Sequence, residues 1–328
     1  MQTLDRRSVV AGLAAAICAG TTGTAKAAPA LADLALFGPP AGPSITLAHA
    51  VASGAFEGIA EKASFSAWRN PDELRAGLTS GSMQVAVMPT QAAANLYNRG
   101  LGVRLINVMT NGLLYVVSAD RSIDGIAALK GKTIVVPFRN DTPDLIFRRL
   151  LAENGLEPGA DLKLENAGTP VEAIQLLISG RVDAALVPEP AATAAIVQAG
   201  KAGTEIQRVV DIQKAWGAAT GGAPVLPQAG LAVTDAFLDK NGDVLAAIQA
   251  AITEATRSVN DDPQTAARDA AEALGMPQPI LAKSIPTSNL VSIPAKDARA
   301  SLEAMYRTVS EVDAGIIGGK LPDAAFYL

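Results

Sequence analysis

Apolar and polar positions follow the same order twice along the chain. Residues 70–93, NPDELRAGLTSGSMQVAVMPTQAA, align without a gap with residues 169–192, TPVEAIQLLISGRVDAALVPEPAA. In each copy, apolar residues at helical spacing lead to a glycine, and a short apolar run then leads to a proline. Glycine commonly ends a helix, and proline interrupts the hydrogen bonding of a strand. Each copy therefore predicts a helix, a buried strand and a second helix.

The residues around each copy extend this pattern. Asn70 and Thr169 are good helix caps, each followed by a proline and, three positions after the cap, by a glutamate. Further strands are predicted at 44–50, 62–68, 131–138 and 161–167. The strongest helix signal follows Thr142, which we expect to cap a helix that ends near Gly155. Each half therefore reads β-α-β-α-β-α, which favours a parallel sheet flanked by helices.

The order of these elements predicts two α/β lobes. Residues 112–119 are long and apolar for a loop, and we expect them to cross from the first lobe to the second. The tail after residue 230 has one strand pattern and then mainly helical patterns, and we expect it to return to the first lobe. The predicted boundaries are 31–115 with 225–328 for lobe 1 and 116–224 for lobe 2.

The composition fits a folded protein that does not bind nucleic acid. Hydrophobic residues make up 49% of the 328 residues, charged residues 18%, and the formal net charge is −5. The chain has no block of lysine and arginine of the kind that binds a phosphate backbone.

The first residues have the pattern of a cleaved export signal. Arg6 and Arg7 precede an apolar run that is too short to span a bilayer. They resemble a twin-arginine signal, and small residues allow cleavage after Ala27 or Ala30. Lipidation of Cys18 is disfavoured because the bulky Ile17 precedes it. We therefore expect residues 1–27 to be removed, leaving a periplasmic protein without cysteine.

Three further segments carry a family resemblance. The sequences DGIAALKGKTIVVP (124–137), LLAENGLEPGADL (150–162) and AIQLLISGRVDAALVPEPAA (173–192) resemble periplasmic solute-binding proteins of ABC importers. The nitrate, sulfonate and taurine group of type II binding proteins is most similar. The resemblance implies a two-lobed fold, capture of a small solute between the lobes, hinge closure and delivery to a permease in the inner membrane.

Most candidate ligand-binding residues stand in the loops that follow the predicted strands, because ligands of open α/β sheets bind at the carboxyl ends of the strands. Asn111 is a candidate at the crossover between the lobes, and Trp216 is one in a predicted loop that leads back to the first lobe. The candidates are His49, Trp68, Arg69, Thr90, Gln91, Asn111, Arg139, Asn140, Asp141, Thr142, Glu189 and Trp216. The arginines indicate an anion such as a sulfonate, whereas Glu189 would suit an ammonium group, and a zwitterion would suit both. A neutral aromatic heterocycle stacked on a tryptophan is a further possibility.

Other functions are compatible with the same fold. A periplasmic receptor would pass its ligand state to a membrane sensor instead of a permease. An enzyme related to thiamine pyrimidine synthesis would use the same two lobes. The enzyme hypothesis is weaker because the chain has one histidine and no cysteine after residue 18, which leaves few catalytic sets. We expect no cofactor and no metal, and we expect a monomer.

Overall fold

The computed structural model describes residues 30–311 and 313–328. The predicted export signal, including Cys18, lies outside these residues. The strands of the described part are β1 (Leu31–Gly38), β2 (Ala60–Ala67), β3 (Val85–Pro89), β4 (Val103–Leu105), β5 (Asn107–Thr110), β6 (Leu114–Ser118), β7 (Thr133–Pro137), β8 (Lys163–Ala167), β9 (Ala184–Pro188), β10 (Gln207–Asp211), β11 (Ala229–Thr234) and β12 (Leu290–Pro294). The α-helices are α1 (Gly42–Ala52), α2 (Pro71–Ser80), α3 (Thr90–Asn98), α4 (Thr142–Glu153), α5 (Pro170–Ile178), α6 (Ala191–Lys201), α7 (Ile212–Thr220), α8 (Asp235–Asn241), α9 (Leu245–Asp261), α10 (Pro263–Leu274), α11 (Gln278–Ser284) and α12 (Ala295–Ser310).

The strands form two sheets. One has the order β12-β5-β11-β3-β1-β2, with β4 also pairing with β11, and the other has the order β10-β6-β9-β7-β8. Strands β1, β2 and β3 are parallel, as are β7, β8 and β9. Each parallel set is joined by an antiparallel strand, β11 on β3 and β6 on β9. The predicted α/β architecture, with two sheets flanked by helices, is confirmed.

The repeated block has the same local structure in both sheets. Asn70 accepts a hydrogen bond from the Glu73 amide at 3.0 Å, and Thr169 accepts one from the Glu172 amide at 3.2 Å. Gly81 and Gly180 follow the helices in the left-handed conformation, with φ of 76° and 70°. The next strands, β3 and β9, are buried except for their final prolines. Helix, strand and helix therefore occur in both copies, as the sequence predicts.

Two predictions near strand ends are wrong. Residues 44–50 lie within α1, and the first strand is β1, earlier in the chain. A short apolar run fits a buried helix as well as a buried strand, and Pro43 in the first turn favours the helix. At α4 the cap is Asp141, whose side chain accepts a hydrogen bond from the Thr142 amide, so Thr142 is the first helical residue.

The tail packs mainly against the first sheet. Strands β11 and β12 belong to that sheet, and α9 and α10 pack on α1. Helix α11, which the sequence analysis did not predict, packs instead against α6 beside the second sheet. None of the helices within the described ranges combines the length and apolar character that a membrane span requires.

Candidate ligand-binding site

A cleft of about 590 Å³ lies where the two halves of the molecule face each other. Its walls come from α2, α3 and the end of β3 in the first half, from the start of α4 in the second half, and from the tail after α12. The lining residues are Trp68, Pro71, Leu74, Arg75, Met88, Pro89, Gln91, Ala92, Asn95, Leu96, Arg139, Asn140, Asp141, Leu145, Arg148, Asp313, Gly315 and Ile316. Five of the predicted site residues therefore line one cleft: Trp68, Gln91, Arg139, Asn140 and Asp141.

Trp68 forms part of the apolar wall. It follows β2 directly, and only 5% of its surface is exposed. Its indole Nε1 donates a hydrogen bond of 3.2 Å to the backbone carbonyl of Val87, in β3. A buried indole normally has such a partner, and the bond fixes the orientation of the ring in the wall.

Gln91 connects the two halves beside the cleft. Its Nε2 donates hydrogen bonds to Asp141 Oδ1 at 3.0 Å and to Thr142 Oγ1 at 2.9 Å. Thr142 is buried and does not line the cleft, so it contributes to the site through Gln91. Burial raises the pKa of the Asp141 carboxyl, and the hydrogen bonds from Thr142 and Gln91 oppose this rise only in part.

Arg139 is exposed and places a positive charge at the cleft. Its side chain has no hydrogen bond or ion pair with any residue that the structure describes. The loop that carries it is strained, because Phe138 and Asn140 have φ of 56° and 62°. The amide of Asn140 donates to Asp144 Oδ2 at 2.9 Å, which attaches the loop to α4. An arginine that lies beside a helix N-terminus and has no ion-pair partner among the described residues suits an anionic ligand.

The other two arginines of the cleft have acidic partners. Arg75 donates to Asp72 at 3.0 Å on the surface of α2. Arg148 donates to Asp144 at 2.7 Å, and the Asp144 side chain is completely buried. These two arginines contribute less net positive charge to the cleft than Arg139 does.

Three further predicted site residues, Arg69, Thr90 and Asn111, do not line the cleft. The Arg69 side chain is 85% exposed and pairs with Glu73. Thr90 is buried, and its hydroxyl donates to the Pro227 carbonyl at 2.7 Å, which attaches α3 to the segment before β11. Asn111 lies where the chain passes from the first sheet to the second, and its buried Oδ1 has no hydrogen-bond partner among the described residues.

Glu189 faces the interior of the protein. Its carboxylate accepts hydrogen bonds from Arg208 Nε at 2.8 Å, from the Thr193 amide at 3.1 Å and from the Thr287 hydroxyl at 2.8 Å. Its backbone carbonyl accepts a hydrogen bond from the Gly42 amide at 3.2 Å. Glu189 is therefore buried in a contact between the two halves and does not line the cleft.

Trp216 and His49 are also buried away from the cleft. Trp216 lies in the hydrophobic core within α7, and its predicted position in a loop is wrong. His49 lies in the last turn of α1, and the strand on which its predicted cleft position depended does not exist. Its Nδ1 is 2.9 Å from Asp269 Oδ2, and its Nε2 is 2.9 Å from Ser258 Oγ. The three side chains connect α1, α10 and α9.

The order of Ser258, His49 and Asp269 matches that of a serine hydrolase triad. Catalysis would also require free backbone amides beside the serine to stabilise an oxyanion. Ser258 lies in the last turn of α9, where the amides are occupied by the hydrogen bonds of the helix. The arrangement therefore serves as a connection between helices.

The sequence analysis missed part of the cleft. Arg75, Asn95 and Arg148 lie within helices, and helical spacing alone puts Asn95 on the same face as Gln91. The remaining wall comes from the tail, where Asn95 Nδ2 donates to the carbonyls of Gly315 at 2.7 Å and Ile316 at 3.1 Å. No local pattern connects this tail segment with α3. The described residues also contain no group of three or more His, Cys, Asp or Glu placed to hold a metal ion.

Solved structures share this architecture. An ABC transporter structure from Parabacteroides distasonis is 21% identical, with a TM-score of 0.71 over 91% of this chain and 98% of its own. The periplasmic aliphatic sulphonate binding protein SsuA from Escherichia coli is 18% identical, with a TM-score of 0.71 over 90% and 92% of the two chains. The periplasmic nitrate-binding protein NrtA from Synechocystis PCC 6803 is 14% identical, with a TM-score of 0.64 over 87% and 90%. The predicted two-lobed fold and its resemblance to this group are confirmed.

The sequence itself matches no curated protein. Residues 65–275, which include both copies of the repeated block, match the model of one protein family. Because the match covers more than half of the sequence, the chain belongs to the NMT1-like family.

Proposed function

We propose that the protein is the substrate-binding component of an ABC import system. It would capture a small organic solute, anionic or zwitterionic, in the cleft and deliver it to a permease in the inner membrane. The proposal includes export to the periplasm, cleavage of the leader and function as a monomer. The family and the fold are those of such binding proteins, which supports the general role.

One observation carries the proposal: unpaired Arg139 lines a cleft whose walls come from both halves of the molecule. A ligand held there would contact α2 and α3 on one side and the start of α4 on the other. Because only a difference in affinity shifts a conformational equilibrium, a ligand with contacts on both sides would favour the closed arrangement. We propose that residues 31–115 with 225–328, and residues 116–224, move as two lobes in this closure.

A receptor that passes its ligand state to a membrane sensor would use the same cleft and the same closure. Transport is favoured because the solved structures with a similar fold include two periplasmic binding proteins and an ABC transporter. Co-purification of the protein with a permease, compared with a sensor, would distinguish the two functions.

The function is tested by thermal shift and calorimetry on the purified protein. The panel contains nitrate, bicarbonate, taurine, alkyl and aryl sulfonates, amino acids, aromatic carboxylates and thiamine precursors. A ligand present at 100 times its Kd should add about 2.7 kcal/mol to the free energy of unfolding and raise Tm by several degrees. Recovery of the unchanged ligand by mass spectrometry supports a binding protein, and chemical conversion supports an enzyme.

Two variants test whether a solute that binds does so in the cleft. Arg139→Ala should weaken binding of an anionic solute by at least tenfold, which corresponds to about 1.4 kcal/mol. Arg121→Ala is the matched control, because Arg121 is an exposed arginine of the second half that pairs with Glu205 and does not line the cleft. Equal affinities for the two variants would exclude Arg139 from the site.

A further inference from the structure

Helix α11 reaches the second half on the face of the second sheet that is opposite the cleft helix α4. Successive residues of a strand point to opposite faces of a sheet. In β6, Val116 belongs to the hydrophobic cluster that includes Phe147 of α4. The next residue, Val117, belongs to the cluster that includes Ile280 of α11. The tail therefore contacts the second half behind the sheet, away from the cleft.

The helix contributes to the cores of both halves. Ile280 is 8% exposed and lies in the hydrophobic cluster of the second sheet. Leu281 and Ala282 lie in another cluster, together with Ile45 of α1. Consecutive residues of a helix point in directions about 100° apart, so α11 presents a different side to each half. Separating α11 from either half would expose buried apolar surface to water.

The turn after α11 adds polar bonds to the second half. The Tyr115 hydroxyl, in β6, donates to the backbone carbonyl of Thr287 at 2.8 Å. The Thr287 hydroxyl donates to Glu189 at 2.8 Å and accepts from Arg208 at 3.2 Å. The Glu189 side chain is completely buried, so loss of a partner would leave a buried charge less well compensated.

The same turn is attached to the crossover at which the chain first passes between the halves. Asn289 Nδ2 donates to the carbonyl of Gly112 at 2.7 Å, and the Asn289 carbonyl accepts from the Asn111 amide at 3.0 Å. The Thr110 hydroxyl donates to the carbonyl of Ser288 at 2.8 Å. Residues 285–289 therefore form a third connection beside the covalent crossover.

The contacts at the cleft are easier to break. Between α3 and the start of α4, the described residues show the hydrogen bonds from Gln91 to Asp141 and Thr142. Arg149 of α4 also pairs with Glu311 after α12, and the Glu311 side chain is 62% exposed. An exposed ion pair contributes little, because water screens it. Separation at the cleft therefore costs less than separation at α11.

We propose that α11 and the turn at 285–289 are the pivot of the molecule. They keep their contacts with both halves while α2 and α3 move away from α4. Hinges of this kind consist of a few residues at the ends of elements. Opening then widens the cleft on the α4 side of the second sheet, and a solute would enter from that side. The inference concerns how the halves move, and it does not depend on which solute or partner the protein has.

The test measures two distances by double electron–electron resonance between pairs of spin labels. In a Cys18→Ala background the introduced cysteines are the only labelling sites. Lys201→Cys with Lys283→Cys reports on α6 and α11, and Ala76→Cys with Ala152→Cys reports on α2 and α4, all at exposed positions. The α6–α11 distance distribution should be at least twofold narrower than the α2–α4 distribution.

Variants then test the pivot itself. Gln91→Ala should lengthen the α2–α4 distance and leave the α6–α11 distance unchanged. Ile280→Ala and, separately, the nearly isosteric Thr287→Val should each widen the α6–α11 distribution by at least twofold. Thr308→Val is the control, because its hydroxyl bonds to the Ala304 carbonyl within α12, and it should change neither distribution.

Three results would overturn the inference. The first is an α6–α11 distance as widely distributed as the α2–α4 distance. The second is lengthening of both distances in Gln91→Ala, and the third is an unchanged α6–α11 distribution in both pivot variants. Because the measurement uses no solute, failure of the pivot is distinguishable from failure of the proposed function, which the solute panel tests.

Discussion

Gln91 donates a hydrogen bond of 3.0 Å to Asp141, across the boundary between the two halves of the molecule. Gln91 lies in the first turn of α3, and Asp141 is the residue that caps α4. The same amide nitrogen also donates to Thr142. The two helices that border the cleft from opposite sides are thus connected at their N-termini.

Gln91→Ala should loosen this connection. A hydrogen bond contributes about 0.5–1.5 kcal/mol, so loss of two should lower the free energy of unfolding by about 1–3 kcal/mol. Without the connection, the ligand-free protein should also have a larger radius of gyration in small-angle X-ray scattering. Gln175→Ala, at an exposed glutamine of α5, is the control and should change neither quantity. An unchanged radius of gyration in both variants would show that Gln91 does not hold the halves together.

Asp141 should make stability depend on pH. Burial raises the pKa of its carboxyl above the ordinary value of 3.8. The folded protein therefore binds this proton more tightly than the unfolded chain, and the free energy of unfolding falls as pH rises from about 3.8 to the raised pKa. Asp141→Asn retains a capping residue and removes the titration.

The measurement is urea unfolding of the two proteins between pH 3 and pH 7. The difference in stability, variant minus wild type, should increase with pH across the window that begins near 3.8 and should then become constant. A difference that decreases with pH would mean that hydrogen bonds to the ionised carboxylate outweigh its burial.

The tail segment after α12 should depend on two asparagines of α3. Asn95 binds the carbonyls of Gly315 and Ile316, and Asn98 Nδ2 donates to the carbonyls of Ile317 and Lys320 at 2.6 Å each. Replacing both asparagines by alanine should detach the tail segment from α3. Amide hydrogen exchange at 313–320 should then rise, and any ligand that fills the cleft should bind more weakly. Asn154→Ala, which removes the hydrogen bond from Asn154 to the Leu150 carbonyl at the C-terminal end of α4, is the control. Unchanged exchange at 313–320 would contradict the role of the asparagines.

The repeated block was predictable because its signals are local. Cap, proline, glutamate and glycine occupy fixed positions in the sequence, and each has one strong conformational preference. The first strand was not predicted, because Leu31–Gly38 and 44–50 are both short apolar segments. Periodicity does not distinguish a buried strand from a buried helix at that length.

The candidate site was predictable only in part. Loops after parallel strands point to one edge of a sheet, and this rule found Trp68 and Arg139. The rule cannot tell which loop side chains already bind residues elsewhere in the chain. Glu189, for example, accepts hydrogen bonds from Arg208 and Thr287. It also cannot reveal the wall from the tail, because contacts of Asn95 with Gly315 depend on tertiary packing alone.

His49 should contribute to stability and not to binding. It is 4% exposed and hydrogen bonds to both Asp269 and Ser258. His49→Ala should lower the free energy of unfolding by about 2–3 kcal/mol, through loss of packing and of two hydrogen bonds. Ser258→Ala, which removes one of these bonds, should cost about 1 kcal/mol. Urea unfolding measures the free energy of unfolding, and calorimetry measures the ligand affinity. Weaker binding without loss of stability would show that His49 takes part in ligand binding.

Glu189 and Arg208 form a further connection between the halves of the molecule, through Thr287. The Glu189 side chain is completely buried, and that of Arg208 is 25% exposed. Both belong to the half that contains the second sheet, and both hydrogen bond to Thr287, which precedes β12 of the first sheet. Removing one member of a buried pair leaves the other charge without compensation, whereas removing both does not.

Arg208→Met should therefore lower the free energy of unfolding by about 3 kcal/mol, and the double variant Glu189→Leu with Arg208→Met should recover most of that loss. A double-mutant cycle in urea measures the coupling between the two side chains. If Glu189 instead recognises an ammonium group of the solute, Glu189→Gln would weaken binding of amine-bearing ligands such as taurine and leave binding of alkyl sulfonates without an amine unchanged. A coupling near zero, together with that selective loss, would show that Glu189 contacts the ligand and would favour a zwitterionic solute. A large coupling with equal ligand affinities would establish the pair as a fixed contact between the halves.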